Sequence, residues 1–209
     1  MKIISLNLGQ PQQLLYFDNE VLTGGQKQPV SWARLQRTGF EGDGQADLKN
    51  HGGPGKAACV YSFDHYSYWE QVLGETLSPG AFSENLTIAG LHEKDVCIGD
   101  VFRIGAALVQ ISQPRQPCSK LAGKRARKDL PDLIHANGLS GFYFRTLEEG
   151  LVHSGDAVEP VTRDPLGVTV EFANEVMYRH RPDLESLERV LAVEALSKEW
   201  RRSLSRRLR

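Results

Sequence analysis

Apolar residues occupy every second position at the start of the chain, where Ile4, Leu6 and Leu8 alternate with polar neighbours until Gly9-Gln10-Pro11 ends the run. Period-two alternation puts one set of side chains on one face, so these residues predict a half-buried β-strand. Residues 11–30 are polar and turn-rich, with Gly24-Gly25 and Pro29, and read as a long connection or a loose hairpin. Short strands are then predicted at Val30–Leu35, Ala57–Tyr61, Leu86–Ile88, Val101–Ile104, Leu108–Ile111, Gly141–Leu147 and Leu151–Val152. Gly105-Ala106-Ala107 joins two of them as a hairpin, and Gly155-Asp156 marks a turn before Val158. Six glycines (Gly39, Gly42, Gly44, Gly52, Gly53 and Gly55) predict a loop that no regular element spans. Helical spacing is confined to Phe63–Leu73, through Tyr66, Trp69, Val72 and Leu73, and to Lys120–Asn137, which carries Lys124, Arg125, Arg127 and Lys128. Many short strands without βαβ alternation imply a mainly β fold, a barrel or sandwich with a few helices.

The pattern changes at Asp164-Pro165, after which strand signals cease. Three helical stretches follow, lined by Val170, Ala173, Val176 and Met177; by Leu184, Leu187, Val190 and Leu191; and by Trp200, Leu204 and Leu208, with Ser197 as the last N-cap. The predicted division is a β domain over residues 1–163 and a small three-helix bundle over 164–209. So short a segment buries little by itself, and it is expected to pack on the β domain. Arg201, Arg202, Arg206, Arg207 and Arg209 crowd the last helix. They read as a solvated face with cations near a helix C-terminus, or else as a docking surface for an acidic partner.

Composition narrows the class. Of 209 residues, 40% are hydrophobic and 24% charged, and the formal net charge is −1. These are ordinary globular values, and they give no reason to expect a nucleic-acid polymer or an anionic membrane as partner. No apolar run approaches the ~18 residues of a membrane span, and the first residues lack the charged and apolar regions of a secretion signal. Three scattered cysteines, Cys59, Cys97 and Cys118, do not form a disulfide framework. The expectation is a reduced, cytoplasmic protein.

Two stretches could carry chemistry. In Gln113-Pro114-Arg115-Gln116-Pro117-Cys118-Ser119-Lys120-Leu121 the prolines end a strand and stiffen a turn that holds Cys118 between Arg115 and Lys120. Nearby cations favour the thiolate, which is a nucleophile or a soft-metal ligand; the alternative is a small buried hydrophobe. In Asp47–Ala57 the glycines Gly52, Gly53 and Gly55 could expose N–H groups to an oxyanion, with Lys56 supplying charge. The spacing is not a Walker loop, and His51 could be a base, a ligand or a structural donor. HExxH, CxxC, GxSxG and GxGxxG motifs are all absent, which argues against a zinc site, an iron–sulfur cluster or a dinucleotide fold.

Taken in order, His51-Gly52-Gly53-x-x-Lys56-Ala57, Phe82-Ser83-Glu84-Asn85-Leu86, Gly99-Asp100, Pro114-Arg115-x-Pro117-Cys118-x-Lys120-Leu121 and Gly141-x-Tyr143-x-Arg145 resemble the MOSC family, named for the C-terminal domain of molybdenum cofactor sulfurase. Leu196-Ser197-x-Glu199-Trp200 resembles the three-helix appendage of its small stand-alone YiiM-type members. Ser83 departs from the glycine expected there. The resemblance implies a MOSC-type β-barrel that binds the molybdenum–pyranopterin cofactor, with Cys118 as the metal's thiolate ligand. Gly52, Gly53, Lys56, Asn85, Arg115 and Lys120 would line the cofactor, and His51 would join Cys118 in catalysis. Cys59 and Cys97 would be structural. The activity implied is reduction of N-hydroxylated compounds such as 6-hydroxylaminopurine, with electrons from a separate donor reductase. Rival readings are a cofactor carrier or sulfur-transfer module without reductase activity, and a metal-free thiol nucleophile.

Overall fold

In the computed structural model, which describes residues 1–208, the alternating N-terminus forms β1 (Lys2–Leu8), with Ile3 and Leu6 buried. The connection read over residues 11–30 is a true hairpin, β2 (Gln12–Tyr16) and β3 (Asn19–Thr23), followed by β4 (Gln28–Val30). Next come β5 (Trp32–Gln36), β6 (Gly39–Phe40), α1 (Leu48–His51), β7 (Ala58–Ser62), α2 (Tyr66–Leu73) and β8 (Leu86–Ala89). β9 (Val101–Ile104) and β10 (Ala107–Pro114) form the expected hairpin. α3 (Ser119–Lys124) and α4 (Leu130–Asn137) precede β11 (Phe142–Glu148), β12 (Gly150–His153) and β13 (Val158–Thr162), and the chain ends in α5 (Val170–Tyr178), α6 (Leu184–Leu191) and α7 (Lys198–Ser205).

Eight strands make one sheet in the order β13-β9-β10-β11-β7-β8-β1-β4. Every pairing in it is antiparallel except β7–β8, whose parallel register needs the crossover that α2 supplies. The expected barrel is a strongly curled sheet. Three backbone hydrogen bonds, from Ile3 N–H to Asp156, Gly155 N–H to Ile3 and Val158 N–H to Met1, tie the turn before β13 and its first residue to the start of β1, the strand next to the β4 edge. A smaller sheet, β12-β5-β6, flanks it.

Three apolar cores follow from this layout. The first lies within the curled sheet and includes Ile3, Leu35, Val60, Phe102 and Phe144. The second gathers Tyr61, Trp69 and Phe82 with Leu121, Leu130 and Ile134. It therefore anchors α3 and α4: Tyr61 stacks on Phe82 at 4.2 Å, and the Trp69 indole donates to the Tyr61 hydroxyl at 2.6 Å. The third belongs to α5–α7, with Trp200 and Leu204 fully buried and Ile98 and Val168 contributed from outside the helices. The bundle docks on the sheet as expected, through Ser197 N–H to Ser112 carbonyl at 2.9 Å and Arg145 to Ala195 carbonyl at 2.6 Å.

Several expectations are corrected. The glycine-rich segment is not structureless, since Asp47 caps a one-turn helix by accepting from Asn50 N–H at 3.1 Å. Leu184 and Leu208 are exposed and line no core. Arg201 and Arg207 are not a solvated face: Arg201 donates to Leu191 and Val193 carbonyls at 2.5 and 2.6 Å, and Arg207 donates to Val176, Met177 and Arg179 carbonyls. They satisfy carbonyls left open at the ends of α5 and α6. Arg202 and Arg206 are exposed, and Arg209 lies outside the described residues.

Candidate active site

The turn holding Cys118 is fixed at both ends. Pro114 closes β10 opposite Phe142, and the next amide, Arg115 N–H, donates to Gly141 carbonyl at 3.0 Å. Cys118 then sits at the N-cap of α3 in an extended conformation. Burial raises its thiol pKa, but a hydrogen bond from His51, the Arg115 charge and the Leu121 N–H outweigh this and bring it down to about 7. Cys118 is thus poised as a thiolate, as its sequence neighbours suggested. Arg115 is among the largest of these influences and Lys120 is not; the Lys120 ammonium donates to Leu22 carbonyl at 2.9 Å.

His51 ends α1, and its Nδ1 lies 3.9 Å from Asp47 Oδ2. Asp47, held low by its hydrogen bonds from Asn50, therefore both nucleates the turn and faces the imidazole. Asp47, His51 and Cys118 form a carboxylate–imidazole–thiol series at the cleft. Arg115, only 6% exposed, lines the same cleft. Its guanidinium makes no ion pair or hydrogen bond within contact distance among the described residues, although Cys59, Tyr143, Cys118 and the buried Glu84 carboxylate all act on its charge. Burial pushes the neighbouring Tyr143 phenol and Cys59 thiol up, keeping both neutral. A buried guanidinium that makes no direct contact with an anion and lines a cleft is a ready partner for an added oxyanion.

The cleft encloses about 750 Å³, part of it open to solvent. The β2–β3 hairpin and the loop after it cover one side, bringing Tyr16, Thr23 and Gly25 to the cleft. Gly123 of α3 allows this: a Cβ there would come within 2.7 Å of the Tyr16 ring. The Tyr16 hydroxyl is buried without a partner.

Other predicted site residues turn out to be differently employed. Gly52 and Gly53 do not line the cleft. Gly53 takes φ +93°, and a Cβ on Gly52 would meet Leu48 carbonyl at 3.0 Å, so both shape the turn after α1. Lys56 lines the cleft, but its ammonium is held by Glu199 Oε2 and Asn50 carbonyl, each at 2.5 Å. Asn85 also lines the cleft, with its amide occupied: Oδ1 accepts from Cys59 N–H and Nδ2 donates to Asn7 carbonyl and Asp43 Oδ2. The nearby Lys27–Asp43 pair, 2.5 Å apart, went unnoticed in the sequence, as did Tyr16. Cys59, read as structural, lines the same cleft. Among the described residues no three His, Cys, Asp or Glu side chains cluster as a metal site. A metal at Cys118 would take one protein thiolate and bring its other ligands with it.

Comparison with known proteins places this geometry. Residues 47–159 match the family model of the MOSC domain, and residues 168–209 match that of the YiiM-like, 3-alpha helix domain. The chain belongs to the MOSC family. This MOSC protein is 51% identical over 206 residues to the uncharacterized protein YflK of Bacillus subtilis (strain 168), covering 98% of the chain and 93% of the relative. It is 38% identical over 176 residues to protein YiiM of Escherichia coli (strain K12), covering 83% and 78% respectively. The crystal structure of YiiM from Geobacillus stearothermophilus superposes with a TM-score of 0.85 at 38% identity, covering 99% of this chain and 98% of that one. A more distant relative, named reductase, from Gibberella moniliformis (strain M3125 / FGSC 7600), is 32% identical over 130 residues, covering 60% of this chain and 23% of its own. Within the MOSC domain, Ser83 stands at φ +63°, which explains why glycine is expected there.

Proposed function

We propose that the cleft binds the molybdenum–pyranopterin cofactor and that the protein reduces N-hydroxylated compounds, with 6-hydroxylaminopurine as representative substrate. The observation carrying this reading is the pair formed by the poised Cys118 thiolate and the buried, unpartnered Arg115 guanidinium on one cleft. The residues fit the group: a thiolate suits a soft metal, and the guanidinium fork suits a phosphate or another oxyanion. When bound, the cofactor would supply the two-electron chemistry that converts an N–OH group to N–H with release of water. The protein's own part is more limited and can be derived. Cys118 would hold the metal, Arg115 would neutralise the cofactor's anionic end, and the hairpin bearing Tyr16 would exclude water. His51, oriented by Asp47, is placed to hold or deliver a proton beside Cys118. The distant relative named reductase supports the reaction class. Electrons would come from a separate donor protein.

The test is reduction of 6-hydroxylaminopurine by the molybdenum-loaded protein with reduced viologen as donor. Turnover lost in Cys118→Ala is expected. Binding of cofactor without turnover would leave the carrier reading in its place.

A further inference from the structure

The helix that carries His51 has little of its own to hold it. α1 is four residues long, contains no buried side chain and leaves Leu48 71% exposed. One helical turn is too short to persist without outside contacts. Its bonds to Asp47, from Asn50 N–H, Asn50 Nδ2 and His51 N–H, are internal to the segment. Among the described residues, what reaches 47–51 from elsewhere is the hydrogen bond between His51 and Cys118 and the one from Lys56 Nζ to Asn50 carbonyl at 2.5 Å.

Lys56 can serve as that tie because it is itself fixed. It is only 8% exposed, and a buried cation needs an anion close by; Glu199 Oε2 meets its ammonium at 2.5 Å. Glu199 belongs to the first turn of α7. Its carboxylate is partly exposed, but the helix start that carries it is anchored. Ser197 caps α7 by accepting from Trp200 N–H at 3.2 Å, and Trp200 is fully buried. The Ser197 amide donates to Ser112 carbonyl at 2.9 Å, and the Ser112 hydroxyl donates to Gly55 carbonyl at 2.5 Å, next to Lys56. A Cβ on Gly55 would lie 3.7 Å from Ser197 Cβ, so the turn carrying Lys56 rests on the start of α7.

From this we infer that Glu199, contributed by the helical appendage, is a positioning residue: through Lys56 and the Asn50 carbonyl it holds His51 against Cys118. Charge alone predicts the opposite effect of removing it. Glu199 and Cys118 line one hollow, so loss of the carboxylate would by itself favour the thiolate and speed its reactions. Loss of the tie to α1 instead lets His51 leave Cys118 and slows them. The sign of the change separates the two. The inference needs the His51–Cys118 contact and no cofactor, so it stands or falls apart from the reductase reading.

The test uses the full-length protein without cofactor at pH 7. Hydrogen exchange followed by mass spectrometry should show the amides of residues 47–56 exchanging about tenfold faster in Glu199→Gln, while peptides from β10 and β11 match the wild type. Iodoacetamide should alkylate Cys118 about threefold more slowly in that variant. In a His51→Ala background Glu199→Gln should cause no further slowing, because the tie then has no imidazole to position. Glu199→Asp, which keeps the charge that Lys56 needs, should retain most of the wild-type rate. Arg202→Gln, at an exposed position on the same helix, should leave both readouts unchanged. Faster or unchanged alkylation in Glu199→Gln would overturn the inference, as would further slowing where His51 is already absent. Exchange raised evenly along the whole chain would also overturn it, since Glu199 would then serve stability alone.

Discussion

Replacing His51 by alanine should disarm Cys118 without touching the thiol itself. The His51 hydrogen bond is the largest of the influences that lower the Cys118 pKa from 9.0 to about 7 against the effect of burial. With a pKa near 7 about half the thiol is ionised at pH 7, against about 1% for an unassisted cysteine. Removing His51 leaves Arg115 and the Leu121 amide to oppose burial, so the midpoint should rise above about 8. The thiolate fraction at pH 7 then falls about fivefold or more. Iodoacetamide alkylation measured from pH 5 to 10, followed by mass spectrometry of the Cys118 peptide, reads this directly. Cys59 and Cys97 interfere little, because burial raises both of their thiols. His51→Gln, which keeps a donor without the imidazolium charge, should fall between. A midpoint unmoved in His51→Ala would refute the assignment of His51 as the activating group. The same shift has a stability consequence. The folded thiol ionises below its unfolded value, so the stabilisation is complete above about pH 9 and is lost as pH falls through about 7. The stability gap between wild type and Cys118→Ala should therefore widen with rising pH across that window.

Arg115→Met should abolish cofactor retention and raise the Cys118 midpoint, because the Arg115 charge favours the thiolate; unchanged molybdenum content in the loaded variant would contradict that role. Ser83→Gly should stabilise by about 1 kcal/mol in urea titration, since Ser83 holds φ +63° at a cost glycine does not incur. Gly141→Ala should destabilise by about 2–4 kcal/mol, because a Cβ at φ +72° would lie 2.3 Å from Val60 carbonyl. That change also disturbs the carbonyl that accepts from Arg115 N–H and the amide that donates to Glu93. A circular-dichroism melt indistinguishable from wild type would contradict this.

The sequence made the strands and the terminal helices legible where one face is buried and one is wet, as in β1 and α5. It could not order the sheet, since the parallel β7–β8 pairing depends on a crossover and leaves no local mark. Nor did alternation reveal that Cys59 lines the cleft, because every residue of β7 is buried. The four residues of α1 were hidden among glycines, with Asp47 and its bond from Asn50 as the one available signal. At the site, Cys118 and Arg115 were readable because their chemistry is local to one turn. Lys56 was assigned to an anionic ligand because spacing after glycines says nothing about a distant carboxylate, and Glu199 claims it. Lys120 was likewise credited with activating the thiol, yet its long side chain reaches the β2–β3 hairpin instead. The C-terminal arginines looked like a surface charge cluster by composition, whereas two of them satisfy carbonyls at helix ends.

The central claim is that Cys118 supplies the thiolate ligand to a molybdenum cofactor bound beside Arg115. X-ray absorption at the molybdenum edge tests it most directly, on wild-type and Cys118→Ser protein produced with the cofactor available. The account predicts molybdenum in the wild type with one more sulfur neighbour than in Cys118→Ser. An identical sulfur count in the two proteins would contradict it.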